Sequence, residues 1–184
     1  MKTRFIVVVA ILGILALVVS ACGSSPTQAN LRLMVSDQPN VIGDFAYLNV
    51  TISSIGVHRV GDNSTWIQFS PNIGTVDLTK LQGNNATEIW SGNITAGQYD
   101  KVFIYVSNVE GNLTASAGNG TVNVKLPSGK LQISKPFTIS GNGTTSFVFD
   151  ITVIKAGESG QYILEPQIAN SGANEPFTEV KPTQ

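Results

Sequence analysis

Through most of the chain apolar and polar residues alternate with the period of two that marks β-strands. From Phe45 to Val60, Leu48, Val50 and Ile52 take one face and Tyr47, Asn49 and Thr51 the other. The parity then changes, because Ile55 and Val57 hold odd positions after Ser53-Ser54, and a β-bulge there returns the apolar side chains to the core. Gly61-Asp62-Asn63-Ser64 predicts a hairpin turn. The strand after it, Thr65 to Phe69, sets Ile67 and Phe69 on one face and Trp66 and Gln68 on the other. Thr75 to Leu78 is short, and Thr79 to Ala86 is polar with room for one helical turn. Gln98 to Val109 is apolar on both faces, with Val102, Ile104 and Val106 opposed to Phe103 and Tyr105. Such a strand belongs near the middle of a sheet.

Leu31 to Val35, Thr121 to Leu126, Leu131 to Ile133, Phe137 to Ile139, Phe147 to Ile154 and Tyr162 to Ile168 complete the strand pattern, separated by Gly, Asn and Pro turns. In the turn Ser36-Asp37-Gln38-Pro39-Asn40, Asp37 is expected to bond its own downstream backbone. With no helix-period segment after the first 22 residues, the pattern predicts an all-β fold. Its expected form is a single antiparallel β-sandwich of immunoglobulin- or transthyretin-like type over residues 31–169. Residues 170–184 read as a tail in which Phe177 to Val180 has the pattern of an added edge strand.

The N-terminus breaks the alternation. Met1-Lys2-Thr3-Arg4 is basic, Phe5 to Val19 is apolar, and Ser20-Ala21 precede Cys22. That order is a secretory signal peptide over residues 1–21. Val19-Ser20-Ala21-Cys22 resembles the lipobox of prokaryotic lipoproteins, which makes Cys22 the lipidated first residue of the mature chain. The competing reading is an uncleaved membrane anchor, slightly short of the roughly 20 apolar residues that span a bilayer. Either reading places the domain at the cell membrane, facing outside the cytoplasm. Residues 22–30 then form a Gly/Ser/Pro-containing tether.

Composition narrows the partners. Only 12% of residues are charged, against about a quarter in an ordinary soluble domain. The net charge of −1 argues against nucleic acid, which needs a concentrated basic face. Cys22 is the only cysteine, so it has no disulfide partner within the chain.

Candidate chemistry is sparse. His58 is the only histidine and lies on a strand, and as a base it would need a partner in hydrogen-bond reach. There is no Gly-x-Ser-x-Gly elbow and no Gly-rich phosphate loop. Asp37, Asp44, Asp77 and Asp150 offer oxygen ligands for calcium but lack EF-hand spacing, and turn capping accounts for aspartates in such places. The sequence therefore predicts neither an enzyme nor a bound cofactor or metal. Trp66, beside Gln68, is the candidate ligand-binding residue, provided that no loop or tail covers its face.

Asn-x-Thr sequons stand at Asn49, Asn63, Asn85, Asn93, Asn112, Asn119 and Asn142. The chain's content of Asn, Ser and Thr predicts about three such glycan acceptors by chance. Asn63, Asn119 and Asn142 lie in Gly-containing turns, which reach the surface. Asn, Gly and Thr are also what turns and exposed strand faces use.

Asp37-Gln38-Pro39, Val76-Asp77-Leu78, Ala96-Gly97-Gln98-Tyr99, Leu126-Pro127-Ser128-Gly129-Lys130-Leu131, Phe147-Val148-Phe149-Asp150 and Tyr162-Ile163-Leu164-Glu165-Pro166 follow one another along the chain. In them the chain resembles an uncharacterised prokaryotic lipoprotein family of the DUF4382 type, a domain of unknown function. The resemblance implies an extracytoplasmic β domain behind a lipid anchor and carries no active site with it. Two classes of function follow. One is a non-catalytic binding or adhesion module of the cell surface, with glycans as its candidate ligand. The other is a structural or accessory subunit of an envelope assembly that binds protein through a sheet edge.

Overall fold

The structure is a computed structural model and describes residues 27–61, 64–141, 143–157 and 159–181. Its strands are β1 (Gln28–Asp37), β2 (Phe45–Arg59), β3 (Thr65–Phe69), β4 (Thr75–Asp77), β5 (Asn85–Thr95), β6 (Gly97–Leu113) and β7 (Gly120–Val122). They continue as β8 (Val124–Lys125), β9 (Lys130–Ile139), β10 (Thr144–Ala156), β11 (Gln161–Pro166), β12 (Gly172–Ala173) and β13 (Thr178–Glu179). Two sheets pack face to face. The first runs β13-β5-β1-β10-β11-β8, with β12 on β10; the second runs β3-β2-β6-β7, with β4 on β2 and β9 on β6. The fold is an all-β sandwich.

Pairing is mostly antiparallel, but β1 lies parallel to β10, β11 to β8 and β13 to β5. The expected antiparallel sandwich holds in the main, with these three parallel pairs added to it. Strands β1 and β10 sit at the centre of the first sheet and are buried on both sides, which gives them near-continuous apolar runs. Leu31, Leu33, Val35, Phe147, Phe149 and Ile151 face the core between the sheets, while Met34 and Val148 pack on the other side with Ala86 and Phe177. Each such side chain contributes roughly 1.5–3 kcal/mol by leaving water.

In the second sheet the ladder between β2 and β6 carries the load. Its register slips between Thr51 and Ser54, where the parity change at Ser53-Ser54 called for a bulge. Leu48, Val50 and Ile52 before it, and Ile55 and Val57 after it, are all buried. The segment 121–126 divides: β7 pairs with β6 in the second sheet, and β8 crosses to pair with β11 in the first. Leu131 to Ile133 and Phe137 to Ile139 join as the single strand β9.

The described residues at both ends of the domain are paired into the first sheet. Gln28, Ala29 and Asn30 pair with Thr95, Ile94 and Asn93. At the other end β13 pairs with β5, Arg32 holds Glu179 at 2.8 Å, and Phe177 packs against Met34, Ala86 and Val148. The C-terminal segment is thereby strapped across the outer face of the first sheet. Among the described residues, no such strap covers Trp66 and Tyr105 on the outer face of the second sheet, where both are exposed.

Candidate ligand-binding face

Three rows of side chains cross that outer face, set by strand register. Trp66 stands opposite His58, and His58 opposite Lys101. Gln68 stands opposite Gly56, Gly56 opposite Phe103, and Phe103 opposite Gln132. Ser54 stands opposite Tyr105, and Tyr105 opposite Lys130. Gly56 shapes the middle row, because a Cβ there would come within 1.9 Å of Phe103 Cζ. Without it the Phe103 ring lies flat over the β2 backbone.

The result is an aromatic run across the sheet. The Trp66 and Phe103 centroids are 5.1 Å apart, and those of Phe103 and Tyr105 4.9 Å, within the range of favourable aromatic pairs. Trp66 is 48% exposed and Tyr105 37%, whereas Phe103 between them is buried. Lys101 Nζ lies 5.9 Å from the Trp66 ring, and Lys130 Nζ 6.0 and 5.9 Å from Phe103 and Tyr105. The Gln68 amide donates to Ser54 Oγ at 2.6 Å, which holds it at the margin of the run. Apolar ring faces edged by amide, hydroxyl and ammonium groups can hold a flat ligand that is apolar on its faces and polar at its rim.

Alternation in the sequence singles out Trp66 and Gln68, both exposed here, but not Phe103, which lies buried between Trp66 and Tyr105. Alternation located Trp66, while the openness of the face depends on where the tail goes. Of the other aromatics, Trp90 is buried and stacked on Phe69 at 4.0 Å, and Tyr47 donates its hydroxyl to Glu110 at 3.0 Å.

The remaining candidates scatter. Cys22, Asn63 and Asn142 lie outside the described residues. Asn93 and Asn119 are exposed, and Asn119 takes a left-handed φ of 55°. Asn49, Asn85 and Asn112 are half-buried. Asp37 and Asp150 lie near enough for their charges to interact, but among the described residues no group of three or more His, Cys, Asp or Glu side chains gathers as a metal site. Asp77 caps a turn, its Oδ1 accepting from Thr79 N, Thr79 Oγ1 and Leu48 N at 2.8–3.1 Å. Asp44 accepts from the Tyr162 hydroxyl at 2.7 Å, and Asp150 from Ser36 Oγ at 2.6 Å.

Asp37 departs from its expected turn bond. Strand β1 runs through it, pairing it with Ile151, so alternation puts it on the core face with Leu33 and Val35. It is fully buried, and neither carboxyl oxygen has a hydrogen-bond partner among the described residues. Burial, reinforced by the charge of Asp150, pushes its pKa up to about 8.

A family model described as Domain of unknown function (DUF4382) matches residues 28–166. The chain belongs to this family. No curated protein and no solved structure matches it. The DUF4382 span opens on the first residue of β1 and closes on the last of β11. It therefore includes the aromatic run and all the paired strands around it, while β12 and β13 of the C-terminal strap lie beyond it.

Proposed function

We propose that this DUF4382 domain is a cell-surface binding module that takes glycans on the outer face of its second sheet, held at the membrane through a lipidated Cys22. The observation that carries the reading is the contiguous group Trp66–Phe103–Tyr105, which leaves two large aromatics exposed on the same face of the sheet. Scattered exposed apolar residues are ordinary, but a contiguous patch marks an interaction site. Sugar rings suit this patch, since their C–H faces stack on aromatics while their hydroxyls reach the amides and ammonium groups beside them. The setting is supported by the lipobox-like Val19-Ser20-Ala21-Cys22.

The test is a glycan array followed by affinity electrophoresis of wild type and Trp66→Ala on the polysaccharides retained. Trp66 is half exposed, so its truncation is expected to abolish retention and to cost well under the ~3–5 kcal/mol of a buried aromatic. Unchanged retention in Trp66→Ala would refute the assignment of this face.

A further inference from the structure

At the Trp66 end of the aromatic run, His58 makes two side-chain hydrogen bonds that come together only in the folded chain. Its Nδ1 lies 2.6 Å from Asp100 Oδ1, and its Nε2 lies 3.1 Å from Ser64 Oγ. The proton positions follow from the partners. A carboxylate can only accept, so Nδ1 carries the hydrogen and donates it to Asp100, which leaves Nε2 as the acceptor for the Ser64 hydroxyl. This is the arrangement in which a serine is deprotonated by a histidine that a carboxylate orients.

The backbone is adapted to it. Tyr99 pairs with Arg59 and Lys101 with His58, so Asp100 is an extra residue in β6. The register against β9 also slips between Tyr99 and Lys101. A β-bulge re-aims a side chain, and here it turns Asp100 toward His58. The Trp66 ring packs against the imidazole at 4.6 Å, while Asp100 Oδ2 faces Lys101 Nζ at 3.8 Å. Ser64 is exposed, and its hydroxyl bonds the same imidazole that the Trp66 ring packs against.

We propose that Ser64, His58 and Asp100 form a hydrolytic triad for esters, with O-acyl groups on a sugar held at Trp66 as the substrate class. The choice of sugar rests on the glycan reading above; the triad itself does not. Ser64 Oγ attacks the ester carbonyl as its proton passes to His58 Nε2. The tetrahedral intermediate then collapses, the C–O bond to the sugar breaks, and His58 returns the proton to the leaving sugar hydroxyl. Water attacks the acyl-Ser64 with His58 again taking the proton, and collapse releases the carboxylic acid and restores Ser64. Ester and water give acid and alcohol, with no other reactant. Ser64 and His58 are the catalytic residues, and Asp100 is a positioning residue.

The experiment treats the full chain with a fluorophosphonate probe, maps the modified residue by mass spectrometry, and follows hydrolysis of p-nitrophenyl acetate. Wild type is expected to be labelled at Ser64, and His58→Ala to escape labelling. Ser64→Ala should hydrolyse about 10²-fold more slowly or worse. Asp100→Asn should lower kcat at unchanged KM, with Asp100→Glu recovering part of the loss, a split that a merely structural role would not give. If the glycan reading alone fails, Ser64 is still labelled and p-nitrophenyl acetate still cleaved, but no polysaccharide is retained. An unlabelled Ser64, or a Ser64→Ala variant as fast as wild type, would overturn the triad even if polysaccharide binding holds.

Discussion

Asp37 links a single residue to the stability of the whole domain. Its carboxyl is buried on the core face without a partner among the described residues, and its pKa rises from an ordinary 3.8 to about 8. Below pH 4 the group is protonated in both the folded and the unfolded chain. Above pH 4 the unfolded chain releases the proton while the folded one retains it, so stability falls with rising pH until the folded group titrates near pH 8. At 1.36 kcal/mol per unit, the four-unit difference corresponds to about 5 kcal/mol across that window. Burial also raises the Asp150 pKa, with Ser36 and Asn170 pulling partly back, and the sign of its effect is the same. Urea midpoints are therefore expected to fall from pH 5 to pH 8. Asp37→Asn, which keeps the shape without the charge, should flatten most of that slope and be the more stable protein at pH 8. An undiminished slope in Asp37→Asn would rule out this carboxyl as its source.

At the scale of elements, β2 and β6 build the candidate site, and Gly56 is the point on which it depends. A methyl there collides with the Phe103 ring, and overpacking of this kind costs roughly 1–3 kcal/mol. Gly56→Ala should therefore tilt Phe103 out of the run and weaken polysaccharide retention as well as lowering the urea midpoint. A variant that loses stability but retains polysaccharide fully would show that the flat Phe103 is dispensable for binding.

Much of this was legible locally. The parity change at Ser53-Ser54 announced the bulge, and alternation from Thr65 to Phe69 separated Trp66 and Gln68 from Ile67 and Phe69. The apolar residues on both faces of Gln98–Val109 place β6 inside its sheet, but that Phe103 meets Trp66 depends on the register across β2 and on the missing side chain at Gly56, which alternation does not carry. The split of residues 121–126 between two sheets and the parallel pairing of β1 with β10 leave no local trace, since each depends on partners tens of residues away. The same holds for Asp100, which reaches His58 only through the bulge in β6.

For the whole molecule, the asymmetry between the two outer faces matters most. The C-terminal strap covers the first sheet through Phe177, β13 and the pairing of Glu179 with Arg32, whereas among the described residues the second sheet keeps Trp66 and Tyr105 exposed to a ligand. A lipidated Cys22 would present that face outside the cell. Cys22→Ser is expected to accumulate as uncleaved precursor, whereas wild type partitions into detergent as a shorter lipidated chain. A Cys22→Ser protein of mature mobility would contradict the lipid anchor.

The claim that the second sheet binds glycans is tested most directly by fluorescence. Trp66 is exposed and Trp90 is buried against Phe69, so in a Trp90→Phe variant the single indole reports on the candidate face alone. Titration with a polysaccharide selected on the array should shift and saturate the Trp66 emission, at a midpoint that matches retention by the wild-type protein. Saturable binding of that polysaccharide with no change in Trp66 emission would contradict the account.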